Sequence, residues 1–414
     1  MSAPRQNLEE DCVKSIGDKA LSGSRPWIAV LLLVVLMGCA GTSWGQNKVP
    51  GVSDSTILIG SCSALDGPAR FLGTNTVLGA TAFLHMVNDK GGVHGRRVQL
   101  QAFDDGYDPE KTTACFNRLM REDVFAAGFF VGTPTAVKYL PMAEEHKVPV
   151  VGLFTGAQVL YSPLKHWVIN VRASYYDETR EMVDGLWTGQ NVTKIGVIYQ
   201  DDAFGKAVLD GVKLALDKHH ATPTGLGTFT RNTLDVDAGI REARAANPEA
   251  VVLVGPYAPV AEIVKRSHAQ GWHPVFLTVS FVGTEAFIKE AGKDAEGTII
   301  TQVVPPYDRN DLATIKLYNE ALKKYYPGTE PSFVSLEGFV DAMVLVEGLK
   351  RAGKDVTREK LIESIESIHS MDMGLGPKLT LGYTATDHKG FKGVYPTVVK
   401  GGKPVVFTDW KGVR

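Results

Sequence analysis

The sequence predicts an α/β protein with two similar lobes, each a doubly wound parallel sheet flanked by helices. With 414 residues, the chain exceeds what one hydrophobic core usually organises. From residue 56 onward, short apolar and β-branched runs alternate with longer segments of helical period, which indicates βαβ units. After residue 172 the same alternation starts again, so the chain contains one kind of lobe twice.

The first lobe is predicted to begin with four strands, at 56–62, 98–103, 125–132 and 148–153, and helices near 74–89, 109–122 and 134–146. The second is predicted to contain strands at 194–199, 225–229, 250–255, 274–279 and 297–302, and helices near 203–219, 235–246, 257–270 and 283–291. Helical stretches follow at 310–325 and 333–368, the latter interrupted by "AGKDVT", and then short antiparallel strands within 376–407. Such sheets bind ligands at the carboxyl ends of their strands, so a site is expected between the lobes.

The N-terminal region has the features of an export signal. Arg25 precedes an apolar stretch, 27–41, which has signal-peptide length and is short for a bilayer span. We expect residues 1–45 to be a signal peptide, whereas "LMGC" ending at Cys39 offers a lipid anchor as the alternative. Export would keep Cys62 and Cys115, either paired or as two buried free thiols.

Composition and motifs argue against several function classes. The 44 basic and 46 acidic residues nearly cancel, whereas nucleic-acid binders normally carry a basic excess. The sequence has no phosphate loop ending in GK[ST], no HExxH and no paired CxxC, and its G-x-S-x-G match at 41–45 lies within the expected signal peptide. Its ten histidines lack metal-ligand spacing. "GLGTFT" (225–230) lacks the third glycine of a dinucleotide fingerprint. We therefore expect no metal, no cofactor, no nucleic-acid partner and no enzymatic activity.

Polar residues at two strand ends of the first lobe predict a carboxylate site. Thr133 stands where a strand ends and a helix begins, with Pro134 expected at the first helical position. Its hydroxyl and the free backbone N–H groups suit a ligand carboxylate, although Thr133 would also fit as a helix N-cap alone. Phe154, Thr155 and Gly156 repeat the arrangement one strand later, where Phe154 could instead belong to the core.

Aromatic residues follow the corresponding strands of the second lobe, namely Phe204, Tyr257 and Phe281. Aromatic side chains shape a site for a small organic ligand, and their presence at successive strand ends indicates a pocket.

Three aspartates follow the second predicted strand. Asp108 precedes Pro109 and is well placed to cap the next helix. Asp104 and Asp105 fit either plain turn chemistry or the lining of the cleft, and catalysis by this pair is a third interpretation.

Four segments together resemble the periplasmic solute-binding proteins of the branched-chain amino acid type, which are the extracytoplasmic receptors of ABC importers. They are "ILIGSCSALDGPARFLG" (57–73), "MVNDKGGVHGRRVQLQAFDDGYDPEKT" (86–112), "RASYYDE" (172–178) and "IYQDDAFGKAVLDGVK" (198–213), of which "GGVHGRR" is the most specific part. The resemblance covers essentially all of 54–410 and implies two lobes that close on a ligand without chemistry. It implies lobes of 54–171 with 305–371 and of 172–304 with 372–414, joined by three crossovers near 172, 304 and 372.

The resemblance also implies roles for single residues. Thr133 would hold the ligand carboxylate, and 154–156 would supply backbone and hydroxyl contacts. Leu72 falls at a side-wall position, and Tyr257 would face the ligand from the second lobe. Ser280 falls where amino acid binders of the family have a glutamate for the ligand ammonium, and a hydroxyl cannot neutralise a cation. Further candidates are Tyr175 and Tyr176, which add aromatic bulk, and Asp104 and Asp202, the alternative partners of an ammonium.

These observations predict a periplasmic monomer that captures a small carboxylate, with or without an aromatic ring, and delivers it to an inner-membrane ABC permease. The chain would meet the membrane only through that permease or through a lipid anchor. The alternatives are a ligand sensor of the same fold working with a membrane receptor, and an α/β enzyme.

Overall fold

A computed structural model describes residues 49–413. The predicted signal peptide and the lipid-anchor candidate Cys39 lie outside the described residues. Among residues 49–413, no helix is both long enough and apolar enough to cross a membrane.

The first lobe is built on a five-stranded parallel sheet with the strand order β2-β1-β3-β4-β5. Its strands are β1 (Thr56–Ser63), β2 (Arg97–Asp104), β3 (Ala126–Gly128), β4 (Val150–Val151) and β5 (Val168–Ile169). Its first helices are α1 (Arg70–Asp89), α2 (Pro109–Arg121) and α3 (Thr133–Glu145). The predicted strands are confirmed, although β3 and β4 are shorter than expected.

The second lobe repeats the alternation. Its strands in chain order are β6 (Ile195–Gln200), β7 (Leu226–Phe229), β8 (Ala250–Val254), β9 (Val275–Thr278) and β10 (Ile299–Gln302). Its helices are α4 (Tyr175–Asp184), α5 (Ala203–Asp217), α6 (Asp237–Ala245), α7 (Tyr257–Ala269) and α8 (Thr284–Ala291). The apolar run of β8 is buried at every position, as expected for a central strand covered by helices on both faces.

The chain then returns to the first lobe. It forms α9 (Ala313–Tyr325), α10 (Phe333–Ala352), α11 (Arg358–Glu366) and a small antiparallel pair, β11 (Met371–Asp372) with β12 (Thr380–Leu381). Glycines let α10 pack closely on α1: a Cβ on Gly79 would lie 1.7 Å from the Ser335 carbonyl oxygen, and one on Gly338 would lie 2.1 Å from that of Thr76. The break predicted in this helical stretch is confirmed between α10 and α11.

The last strands return to the second lobe. There β13 (Tyr395–Lys400) and β14 (Lys403–Val406) complete a seven-stranded sheet of order β14-β13-β10-β9-β8-β6-β7. The pairs that involve β13 are antiparallel, and the other pairs are parallel. The predicted antiparallel tail is therefore confirmed.

The third crossover differs from the boundary expected at 372. Leu379, Tyr383 and Phe391 are buried in the same core cluster as α10 and α11. The Phe391 N–H donates to the Val171 carbonyl at 2.7 Å, next to β5. Residues 372–391 therefore pack with the first lobe, and the chain crosses between 391 and 395. The expected boundary was wrong because the tail contains two separate strand pairs, one in each lobe.

A disulfide joins the first strand to the second helix. Cys62 on β1 and Cys115 on α2 are bonded across 53 residues, and both are buried. Of the two alternatives that the sequence left open, the structure has the paired form. The bridge ties an interior strand of the first sheet to the helix that follows residues 104–108.

Candidate functional site

The start of α3 places Thr133 beside Thr155. Gly132 occupies the N-cap position with a φ of 99°, a left-handed conformation that favours glycine, and Thr133 is the first helical residue. The Thr133 and Thr155 hydroxyl oxygens lie 2.7 Å apart, and both side chains are buried. Thr133 therefore does not serve as an N-cap, and Pro134 takes the second helical position rather than the first.

Five buried aromatic residues meet where the two lobes face each other, and we call them the aromatic cluster: Tyr107, Phe154, Tyr175, Phe204 and Phe281. The Phe281 ring centroid lies 4.4 Å from that of Phe204, 5.6 Å from Phe154 and 6.0 Å from Tyr107. Tyr175 lies 5.4 Å from Phe204. Four of these residues were predicted from the sequence. Phe154, Phe204 and Phe281 follow strands, and Tyr175 is the first residue of α4.

Tyr107 was not predicted. Its backbone has a φ of 57°, and its ring packs directly on Gly132, where a Cβ would lie 2.2 Å from the Tyr107 Cε2 atom. The Gln200 amide, at the end of β6 in the second lobe, donates to the Tyr107 hydroxyl at 3.2 Å. The sequence signal that could have identified it is a single large aromatic residue inside the polar turn "DDGYDP".

The neighbouring aspartates shape the loops of the first lobe. Asp104 accepts hydrogen bonds from the backbone N–H groups of Leu65 at 2.8 Å and Asp66 at 2.9 Å. Asp105 is fully buried and accepts from the Tyr107 N–H at 3.0 Å and the Thr112 hydroxyl at 2.7 Å. Of the interpretations for the pair, these contacts support turn chemistry, and Asp105 in particular fixes the backbone of Tyr107.

Asp108 caps α2, as predicted. Its carboxylate accepts from the N–H groups of Glu110 at 2.9 Å and Lys111 at 3.0 Å, and Pro109 is the first helical residue.

Asp202 also serves the local structure. Its carboxylate caps α5 by accepting from the N–H groups of Phe204 at 2.9 Å and Gly205 at 3.3 Å. It further accepts from the Gln200 side chain at 2.6 Å and lies 3.3 Å from Arg231. These four contacts occupy the Asp202 carboxylate, which the sequence offered as an alternative partner for a ligand ammonium.

Ser280 belongs to a buried polar group that we call the Arg172 network, formed by Arg172, Glu178, Ser280 and Glu337. The Ser280 N–H and hydroxyl donate to Glu178 at 2.8 and 3.0 Å. Arg172 lies 2.7 Å from Glu178 and 3.1 Å from Glu337, and it also contacts the Ser280 hydroxyl. The network joins the first crossover to α4 in the second lobe and to α10 in the first.

Electrostatics in the Arg172 network are set by burial and by the guanidinium. Burial raises the pKa of the Glu178 carboxyl, while Arg172 and the donors from Ser280 and Thr301 oppose that rise. Burial also raises the pKa of Glu337. The acid nearest to Ser280 is thus already paired with a cation of the protein itself.

Leu72 and Tyr257 form a second contact between the lobes. A Cβ on Gly283 would lie 2.6 Å from a Leu72 methyl carbon, so the Leu72 side chain packs directly on the Gly283 backbone. The half-buried Tyr257 accepts from the Phe71 N–H at 3.5 Å, and its ring meets that of Phe71 edge to face at 6.0 Å.

Gly156 contacts Tyr175 through its backbone. Its carbonyl accepts from the Tyr175 N–H at 2.7 Å, and a Cβ on Gly156 would lie 2.9 Å from that nitrogen. The N–H groups of Phe154 and Thr155 bond to the carbonyls of Phe130 and Leu153. Those two backbone donors, expected to face a ligand, are used within the first lobe, and the Thr155 hydroxyl remains a contact group of this loop.

A family model described as "Periplasmic binding protein" matches residues 56–403. The chain belongs to this family. The resemblance noted in the sequence is confirmed, and so is the expectation that the protein is not an enzyme, because its relatives are binding proteins.

Three similar proteins illustrate the range of this periplasmic binding protein family. A possible leucine/isoleucine/valine-binding protein from Rhodopirellula baltica SH 1 is 32% identical, with a TM-score of 0.83, covering 89% of this chain and 99% of that chain. A Leu/Ile/Val-binding protein homolog 3 from Brucella melitensis is 22% identical, covering 80% of this chain and 88% of that protein. A fatty acid ABC transporter substrate-binding protein from Thermomonospora curvata is 24% identical, with a TM-score of 0.80, covering 87% of this chain and 94% of that chain.

Replacing Asp105 with Asn in this periplasmic binding protein should change how its stability depends on pH. Burial raises the pKa of the Asp105 carboxyl from 3.8 to about 6. A carboxyl with a raised pKa stabilises the fold below pH 3.8, and this contribution is lost as the pH rises through 6. This rise in pKa corresponds to about 3 kcal/mol of unfolding free energy.

Urea unfolding at several pH values between 4 and 7 measures this effect. The unfolding free energy of the wild type should fall relative to that of Asp105→Asn across this window. Parallel curves for the two proteins would show that Asp105 does not titrate in this range.

Proposed function

We propose that the protein captures a small carboxylate lacking an α-amino group between its lobes, and that it delivers this ligand to an ABC permease from the periplasm. The observation that carries the proposal is the Thr133–Thr155 hydroxyl pair at the start of α3, beside the aromatic cluster. The amino end of a helix carries partial positive charge and favours a carboxylate. The rings of Phe154, Phe204 and Phe281 offer apolar surface to the remainder of such a ligand.

The charges around the site support the absence of an ammonium group. Glu178, the acid that contacts Ser280, is paired with Arg172 at 2.7 Å. Asp202 is committed to the α5 cap, Gln200 and Arg231, and Asp104 binds backbone N–H groups. Burying an ammonium without a partner costs several kcal/mol, more than aromatic packing returns.

The shared fold does not decide between ligand classes. One protein of similar architecture is named as a possible leucine/isoleucine/valine-binding protein, and another is named for fatty acids. The polar groups of the site therefore carry the argument, and they favour an acid without an amine. Delivery to a permease draws its support from the ABC transporter role in the name of the Thermomonospora curvata protein.

Thermal unfolding with matched ligand pairs tests the proposal. One pair is leucine with 4-methylpentanoate, and the other is phenylalanine with 3-phenylpropanoate; within each pair only the α-amino group differs. A ligand at one hundred times its dissociation constant stabilises a protein by about 2.7 kcal/mol, which should raise the melting temperature by a few degrees.

We expect at least one des-amino acid to raise the melting temperature more than its amino acid does. A large shift with leucine and none with 4-methylpentanoate would contradict the proposal. In that case a carboxylate of the site would have to leave its present partner and hold the ammonium.

A further inference from the structure

We propose that the hydroxyl groups of Tyr107 and Tyr175 bind the carboxylate of the ligand together with the Thr133–Thr155 pair. The inference rests on the proposed function and assigns specificity for a carboxylate to two phenols. Three hydroxyl hydrogens would then point to one place: one from each tyrosine and one from the threonine pair.

The Gln200 side chain fixes which way the Tyr107 hydroxyl can donate. The Gln200 amide nitrogen lies 2.6 Å from the Asp202 carboxylate and 3.2 Å from the Tyr107 hydroxyl oxygen. A carboxylate only accepts, so the nitrogen is the group that faces it, and the same nitrogen donates its second hydrogen to Tyr107. The Tyr107 oxygen is therefore an acceptor here, and no residue within 49–413 accepts the hydrogen of its hydroxyl.

The Tyr175 hydroxyl is a second donor without an acceptor among the described residues. Its oxygen is buried and has no hydrogen-bond partner among the described residues. The backbone N–H of Tyr175 is held at 2.7 Å by the carbonyl of Gly156, the residue that follows Thr155. A buried hydroxyl without a partner is costly, and a bound oxygen acceptor would remove that cost.

Contacts with the neighbouring glycines place both tyrosines next to the threonine pair. Tyr107 packs on Gly132, the residue before Thr133, and Tyr175 is bonded to Gly156, the residue after Thr155. The two threonine hydroxyls are 2.7 Å apart, so one donates to the other and one hydrogen stays available. Burial raises the pKa of both phenols above its ordinary value of 10.0, so both keep their hydrogens at physiological pH.

This arrangement suits a carboxylate more than an uncharged group. A carboxylate only accepts hydrogen bonds and offers four lone-pair positions on two oxygens. A primary amide offers one oxygen and brings two hydrogens that would face the hydroxyl donors. The site should therefore prefer 3-phenylpropanoate to 3-phenylpropanamide, and the two phenols should account for much of that preference.

Calorimetric titration tests the inference. The proteins are the wild type, Tyr107→Phe, Tyr175→Phe and the control Tyr139→Phe. Each is titrated with 3-phenylpropanoate, 4-methylpentanoate and 3-phenylpropanamide. Tyr139 is a matched control because it too is a buried phenol without a partner, but its ring packs against Phe116 and Phe130 at 5.8 and 4.6 Å. A hydrogen bond to a charged group corresponds to roughly tenfold to hundredfold in affinity. We expect losses of that size for the acids with Tyr107→Phe and Tyr175→Phe, none with Tyr139→Phe, and a reduced preference for acid over amide.

Three outcomes would overturn the inference. If the two variants bind the acids as tightly as Tyr139→Phe does, the phenols do not contact the carboxylate, and the proposed function is unaffected. If they lose affinity for the acids and the amide equally, they act on closure of the lobes. If wild-type protein binds neither acid, the proposed function and this inference fall together.

Discussion

Replacing Arg172 with Met should lower the unfolding free energy by about 3–5 kcal/mol, because it leaves buried carboxylates without their cation. The Arg172 side chain is 2% exposed, and its partners Glu178 and Glu337 are 0% and 5% exposed. Methionine fills similar volume, so the loss would report the unpaired acids more than a cavity. Urea unfolding at pH 7.5 measures the change.

The deficit of Arg172→Met should shrink as the pH falls. Burial already raises the pKa values of Glu178 and Glu337 above their ordinary value of 4.5, and removing the guanidinium raises them further. Such a carboxyl stabilises the fold below pH 4.5 and loses that contribution as the pH rises through its raised pKa. A deficit that is the same at pH 5 and pH 8 would contradict this.

Arg309→Met is the matched control for this experiment. Arg309 also bonds to a carboxylate through two nitrogens, at 2.7 and 2.6 Å, but it and Asp311 are 54% and 59% exposed. Exposed ion pairs contribute little, so this variant should unfold close to the wild type. Equal losses in the two variants would show that burial of the Arg172 network is not the cause.

Breaking the Cys62–Cys115 disulfide should lower the unfolding free energy by about 4 kcal/mol. The bridge closes a loop of 53 residues, and the loss of that constraint increases the entropy of the unfolded chain. The double variant Cys62→Ala with Cys115→Ala and the wild type with reductant should both show the loss in urea unfolding. Equal stability with and without reductant would contradict this expectation.

The alternation of apolar runs and helical segments was sufficient to predict the elements of both lobes, because each lobe buries its strands under helices in chain order. The boundary at 372 could not be found in this way. Residues 372–391 belong to the first lobe because Leu379 and Tyr383 are buried in one core cluster with α10 and α11. The local pattern of apolar residues does not indicate that contact.

The candidate site likewise contains residues that the sequence predicts and residues whose contacts depend on distant parts of the chain. Phe154, Phe204 and Phe281 follow strands, and their positions at strand ends predicted their meeting. Tyr107 lies in a turn, and its role depends on Gln200, 93 residues away. Glu178 meets Ser280 from a distance of 102 residues in the chain, so sequence alone showed the missing glutamate and not the acid that lies beside it.

Mass spectrometry of the small molecule released from freshly purified, denatured protein tests the central claim most directly. The released compound should be an organic acid without an amine, present in proportion to the protein. Recovery of leucine, isoleucine or valine in that proportion would contradict the claim, because the ammonium of such a ligand would then be bound beside Ser280 despite the pairing of Glu178 with Arg172.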